Sequence, residues 1–309
     1  MSSLTSVCYH YIARADQFRR IWGHGFELFK KHLDFYKKNY KFVSAEDIKN
    51  KNLDGNCLLL TFDDGLKEHS KIIAPYLESL GIKAVFSVPS CILVDEPNTP
   101  QIIHFGTAYY GVRKFYSFVE EELMKYYPNR INFLAKDSKA LELMDLHKLT
   151  KNIFKRQLPH AETREILLNI YNQKIKKDFP DFMERVHLNK EDIVSLAKRG
   201  HTIAVHTHTH PAVKDIFDDK EMFEQEVIRP KKVLTELINK GVDSFAYPFG
   251  AKEDVLADLE ILSKIGYNLV FTTYQTGKQL NLLDIGRYCS QSQDSTVDLK
   301  NNLWSYQVK

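Results

Sequence analysis

Cys57-Leu58-Leu59-Leu60-Thr61-Phe62-Asp63-Asp64-Gly65 begins as an unbroken apolar run and ends on two adjacent carboxylates and a glycine. The run suits a strand buried on both faces, and the amphipathic stretch 67–80 behind it suits a helix packed on that strand. Gly81 closes the helix, where the left-handed conformation favours glycine, and residues 84–88 start another strand. Strand, helix, glycine and strand in this order make the unit of a parallel sheet.

The same unit recurs outward from this stretch. Residues 4–12, 202–205, 244–248 and 268–272 read as further strands, and residues 26–40, 190–198, 220–239 and 252–265 as helices with one apolar face. Gly200, Gly241 and Gly266 mark helix ends. The alternation predicts an α/β fold with a mostly parallel sheet wrapped by helices, either open or closed into a barrel. Residues 95–189 break it: 108–126 and 141–154 are amphipathic and no strand pattern occurs, which predicts a helical insertion capping the active-site face. Residues 1–309 are thus read as a single barrel domain carrying that insertion.

Composition narrows the function. Hydrophobic residues at 43% and charged residues at 27% match a soluble globular protein and exclude disorder. The 43 basic and 40 acidic residues are dispersed, so no basic domain suited to nucleic acid stands out. Cys8, Cys57, Cys91 and Cys289 show no close pairing of the zinc or redox type and are expected to be free thiols. The opening residues carry no leader pattern and no run is long enough to span a membrane, so the expected location is the cytoplasm, without membrane insertion. Oligomeric state is not readable.

Chemistry concentrates at two strand ends. Asp63 and Asp64 follow the first quoted strand, and the carboxyl ends of parallel strands form the functional rim of such folds. A helix cap at Asp64 is the plain alternative. His206-Thr207-His208-Thr209-His210-Pro211 follows strand 202–205 and gathers three of the twelve histidines. In a turn, His206 and His210 can grip one ion with Asp64; in an extended segment His208 becomes the rival ligand. One carboxylate and two imidazoles leave positions open for water and substrate, as in catalytic zinc centres.

Thr61-Phe62-Asp63-Asp64-Gly65, followed by His206-Thr207-x-x-His210, resembles the first two motifs of the polysaccharide deacetylase family, carbohydrate esterase family four, over roughly residues 4–92 and 190–290. The resemblance implies a distorted (β/α) barrel of about seven strands. It also implies Asp63 as catalytic base and Asp64, His206 and His210 as ligands of a divalent ion, zinc first, with cobalt, nickel, manganese or iron as alternatives. Phe245-Ala246-Tyr247-Pro248-Phe249-Gly250 is similar to the third motif, with Ala246 where an Arg normally supports the base. Phe249 stands where a Tyr gives its backbone N–H to the oxyanion hole, a role any residue but proline can fill. Arg287 is the candidate replacement for the missing Arg. No counterpart of the family's final His follows residue 266, and His10, at the end of the first strand, is the candidate acid. His104 and the tyrosines 109, 110, 126 and 127 are weaker candidates for substrate contact, with packing the alternative.

The resemblance implies a metal-dependent hydrolase that removes acetyl from an N-acetylated sugar, expected to be a small nucleotide- or lipid-linked sugar of surface-glycan biosynthesis. The alternatives are a sugar N-deformylase, a non-catalytic carbohydrate-binding barrel and a structural metal protein.

Overall fold

Side chains alternate across a strand, so in a closed barrel every second residue faces the interior. The computed structural model describes residues 2–13, 21 and 23–309. Among them seven strands run parallel: β1 (Ser3–Tyr9), β2 (Asn56–Phe62), β3 (Val85–Val88), β4 (Thr202–Val205), β5 (Ser244–Ala246), β6 (Leu269–Thr272) and β7 (Ile285–Cys289). Each pairs with the next, and β1 pairs with β7 as well as with β2, which closes the barrel. The β1–β2 ladder runs in register from Ser3↔Asn56 to Tyr9↔Phe62. A short strand, Lys41–Phe42, adds to β2 outside the closed ring.

Leu4, Leu59, Val85, Ala204, Ala246, Phe271 and Ile285, one from each strand, belong to a single buried cluster that fills the interior. Each large apolar side chain withdrawn from water there contributes about 1.5–3 kcal/mol. The alternate residues face the surrounding helices: Tyr9 and Phe62 both meet Phe29 of the helix Phe26–Asn39 edge-on.

Four expectations change. Residues 285–289, unread as a strand, form β7, because Arg287 points into the barrel and interrupts the apolar pattern. The first strand stops at Tyr9, and Ile12–Ala13 pairs separately with His24–Gly25. Within 252–265 only Glu260–Lys264 is α-helical. The helices expected over 67–80 and 220–239 carry wide π turns, His69–Ile73 and Glu224–Ile228, ahead of Pro75 and Pro230. Proline lacks the N–H that closes a regular turn, and a wide turn absorbs that gap.

The chain divides into two compact units, Met1–Val94 with His187–Lys309, which carries the barrel, and Asp95–Val186. The second unit is helical, built on Thr99–Tyr110, Val112–Tyr126, Leu143–Asn152 and His160–Ile170, with no strand among its described residues. Phe105 anchors it, edge-on to both Phe179 and Phe182. None of the four cysteines is in a disulfide. Among the described residues no helix is long and apolar enough to cross a membrane.

Candidate active site

The inward alternation of β2 through Cys57, Leu59 and Thr61 carries on to Asp63, one residue past the strand. That of β4 carries from Ala204 to His206, and β7 brings Arg287 and Cys289 to the same interior. The chain therefore delivers acid, base and imidazole groups above an apolar floor.

Asp63 is 2% exposed and Arg287 fully buried, so their charges meet away from water. Arg287 Nη1 donates to Asp63 Oδ1 at 2.9 Å, and Nη2 lies 2.8 Å from Oδ2. The guanidinium also donates to Thr61 Oγ1 and to the Thr272 carbonyl, and it sits over the Phe271 ring. Cys8 Sγ donates to Asp63 Oδ2 at 3.3 Å. Burial alone would raise the Asp63 pKa, but Arg287 and then His206 hold it well below the usual carboxylate range. Asp63 is thus a fixed carboxylate, ionised throughout ordinary pH.

Beside it, Asp64, His206 and His210 converge with one ligand atom each, all within 4.8 Å of one another. Both imidazole Nε2 atoms lie 3.5 Å from Asp64 Oδ1. His206 Nδ1 sits 2.8 Å from the Ala246 carbonyl oxygen; a proton donated there leaves the Nε2 lone pair facing Asp64. His210 is lowered to about 3 by burial and by neighbouring His206, so it stays neutral, the form that ligates metals. Burial also works against the charge on Asp64, yet the surrounding histidines hold it ionised. An ionised carboxylate and inward-facing imidazole nitrogens at this spacing fit a divalent cation.

The loop that presents the two histidines is not a helical turn. Thr207 and His210 have φ of +59° and +74°, which turns His208 away to Ser90 Oγ, 2.8 Å from its Nδ1. His208 is therefore not grouped with the ligand cluster. The buried Glu226 accepts from the backbone N–H of His208 and Thr209 and from the Thr209 hydroxyl, while Thr207 Oγ1 accepts from His210 N–H. Ser90 and Cys91 donate their N–H groups to the carbonyls of Thr207 and His208.

His10 lies against Asp63: Cys8, His10 and Asp63 form a second group of ligand-type atoms within 4.8 Å of one another. Burial would lower its pKa, but Cys8, Asp64 and Asp63 carry it above the ordinary value. Its carbonyl accepts from His69 Nε2 at 2.9 Å. Phe249 has φ of +59° and its ring meets His210 edge-on at 4.8 Å, which puts it beside the ligand cluster. His104 lies on the helix Thr99–Tyr110 of the second unit. Tyr109 stacks on Phe105 and Tyr110 donates to Asp178 within that unit, so both serve its packing. Cys8, Ser90, Thr207, Glu226 and the Ala246 carbonyl had no signal in the sequence, because each acts through a contact made only by the fold.

The polysaccharide deacetylase family model matches residues 143–270, which contain His206, His210 and Phe249. Over that stretch the chain is similar to the polysaccharide deacetylases, and its closed barrel is the fold of the solved structures it resembles. Among solved structures it is similar to a de-N-acetylase from Aggregatibacter actinomycetemcomitans, at 16% identity and a TM-score of 0.58, over 97% of this chain and 99% of that one. It is also similar to the Streptococcus pyogenes deacetylase PplD, solved in complex with acetate, at 15% identity and a TM-score of 0.56, over 97% and 98%. IcaB from Ammonifex degensii matches at 15% identity and a TM-score of 0.54, over 99% and 98%. At such identities the likeness is one of fold. No curated protein matches the sequence significantly.

Proposed function

We propose that the protein is a divalent-metal-dependent N-deacetylase of an N-acetylated sugar, with Asp63 as base and Asp64, His206 and His210 as metal ligands. The observation that carries this reading is the convergence of those three side chains beside a carboxylate locked by Arg287. The de-N-acetylase of similar fold supports the choice of an amide substrate.

A divalent ion at the three ligands supplies Lewis acidity toward water and the amide carbonyl, and zinc is the first choice. Asp63 takes the proton from the attacking water, and Arg287 keeps its carboxylate aligned for that task. The Phe249 backbone N–H donates to the oxyanion as the carbonyl becomes tetrahedral. His10, drawn toward the protonated form by its carboxylate neighbours, gives a proton to the departing amine. The products are acetate and the free amino sugar. A cytoplasmic enzyme acting on a nucleotide- or lipid-linked sugar is the proposed setting.

Acetate release from UDP-N-acetyl sugars, chitin oligomers and peptidoglycan tests both the reaction and the substrate size. Asp63→Asn should keep its metal and lose turnover by roughly 10²–10⁴-fold. Retained turnover would remove Asp63 from the role of base.

A further inference from the structure

β1 and β7 set two thiols side by side next to Asp63. Cys8 and Cys289 are register partners on adjacent parallel strands. Such strands lie about 4.8 Å apart, inside the roughly 4.4–6.8 Å range of Cα separations that a disulfide spans. As register partners their side chains project to the same side of the sheet, into the barrel interior. Cys8 is buried and touches Asp63 Oδ2, whereas Cys289 is only partly buried, so an oxidant meets Cys289 first. The neighbouring Cys8 thiol and the Arg287 charge lower its pKa against burial, which favours the thiolate, the reactive form. Cys57 lies elsewhere on the inward face, at the opposite end of β2 from Asp63.

We propose that Cys8 and Cys289 form a reversible disulfide that inactivates the enzyme by withdrawing the Cys8 S–H from Asp63. This consequence rests on Asp63 being the base. With a hydroperoxide as oxidant, the Cys289 thiolate attacks a peroxide oxygen and the O–O bond breaks. The sulfur becomes a sulfenic acid, and the departing oxygen takes a proton to leave as water or alcohol. Cys8 sulfur then attacks Cys289 sulfur: the S–S bond forms, the S–O bond breaks, and a water leaves with the Cys8 proton. Two electrons have passed from the thiol pair to the peroxide, and a reductant returns them. In the oxidised form Asp63 Oδ2 has lost its thiol donor and the Cys8 sulfur is drawn toward β7.

The test treats the full-length, metal-loaded protein with hydrogen peroxide, maps its cysteines by mass spectrometry, and measures acetate release before and after a phosphine reductant. The expected result is a Cys8–Cys289 cross-linked peptide with acetate release lowered by at least about tenfold and recovered on reduction. Cys289→Ser should keep basal turnover and lose the recoverable inhibition. The proposal is overturned if no such peptide forms, if it forms with turnover unchanged, or if Cys289→Ser is inhibited and recovers as the parent does. Peptide mapping does not depend on activity, so reduced, metal-loaded protein that releases no acetate contradicts the deacetylase reading by itself.

Discussion

Four side chains or backbones at the site hold a conformation that ordinary residues avoid: Asp64, Thr207, His210 and Phe249 all have φ between +59° and +75°. Such positions cost on the order of 1–3 kcal/mol each and persist only when surrounding contacts impose them. Here the strain aims two imidazoles and a carboxylate at one point. Arg287 carries the other half of the site. Arg287→Met would leave Asp63 buried and unpaired, with an expected stability loss of about 3–5 kcal/mol in guanidinium denaturation. It would also raise the Asp63 pKa, because the guanidinium is the largest influence holding it down against burial. In the proposed role of base Asp63 must be ionised, so the acidic limb of the kcat/KM profile should move to higher pH. Arg287→Lys, which keeps the charge, should move it less. An acidic limb that stays put in a folded Arg287→Met protein would separate Arg287 from the base. Asp63, Asp64, His206 and His210 were legible in the sequence because charged and imidazole groups at the ends of apolar strands have few structural reasons to be there. Cys8 was not, since an inward thiol looks like any buried cysteine until the strand beside it is known.

At the level of elements, the loop 206–210 depends on a helix that comes after it in the chain. Glu226 lies in the π turn Glu224–Ile228, and its carboxylate takes two backbone N–H groups and a hydroxyl of the loop. Glu226→Ala should weaken metal binding by roughly 10–100-fold, as loss of groups that orient ligands does, with the barrel still folded. Titration calorimetry with zinc would measure this, and an unchanged affinity would mean that the loop holds its shape alone. Gly286 is the matching feature of β7. A Cβ there would lie 2.3 Å from the Tyr274 carbonyl oxygen, an impossible contact with backbone. Gly286→Ala is expected to cost about 1–3 kcal/mol in stability and to displace Arg287, lowering turnover as well. β7 was hidden in the sequence for a related reason. Ile285-Gly286-Arg287-Tyr288-Cys289 places a glycine and an arginine where a buried strand normally shows aliphatic residues. The periodicity that revealed the other strands therefore failed on the one whose inward residue is the arginine paired with Asp63.

For the whole molecule, alternation of strand, helix and glycine identified a parallel α/β fold but not its closure. Closure is a property of β1 pairing with both β2 and β7, and the β1–β7 ladder joins residues nearly the whole chain apart. The buried histidines add a pH dependence to stability. Burial lowers His24, with help from His32, and likewise lowers His69, each to about 4. The unfolded chain binds protons first, so their contribution is complete above the unfolded pKa of about 6.5 and is lost as pH falls toward 4. Glu68, pushed up to about 7 by burial, acts in the opposite sense, and acidification from 7 toward about 4.5 relieves its penalty. Thermal denaturation should therefore show falling stability from about pH 6.5 to 4, and a steeper fall in Glu68→Gln. A slope unchanged by that substitution would mean that Glu68 does not titrate in this window.

The central claim is that Asp64, His206 and His210 hold the ion on which deacetylation by Asp63 depends. Acetate release from an N-acetylated sugar, followed through chelation and return of a divalent metal, addresses it most directly. The account predicts that release stops with the chelator and resumes as the metal is restored, in the parent protein and not in His210→Ala. Release that continues in the chelated protein, or that His210→Ala matches at equal metal supply, would contradict it.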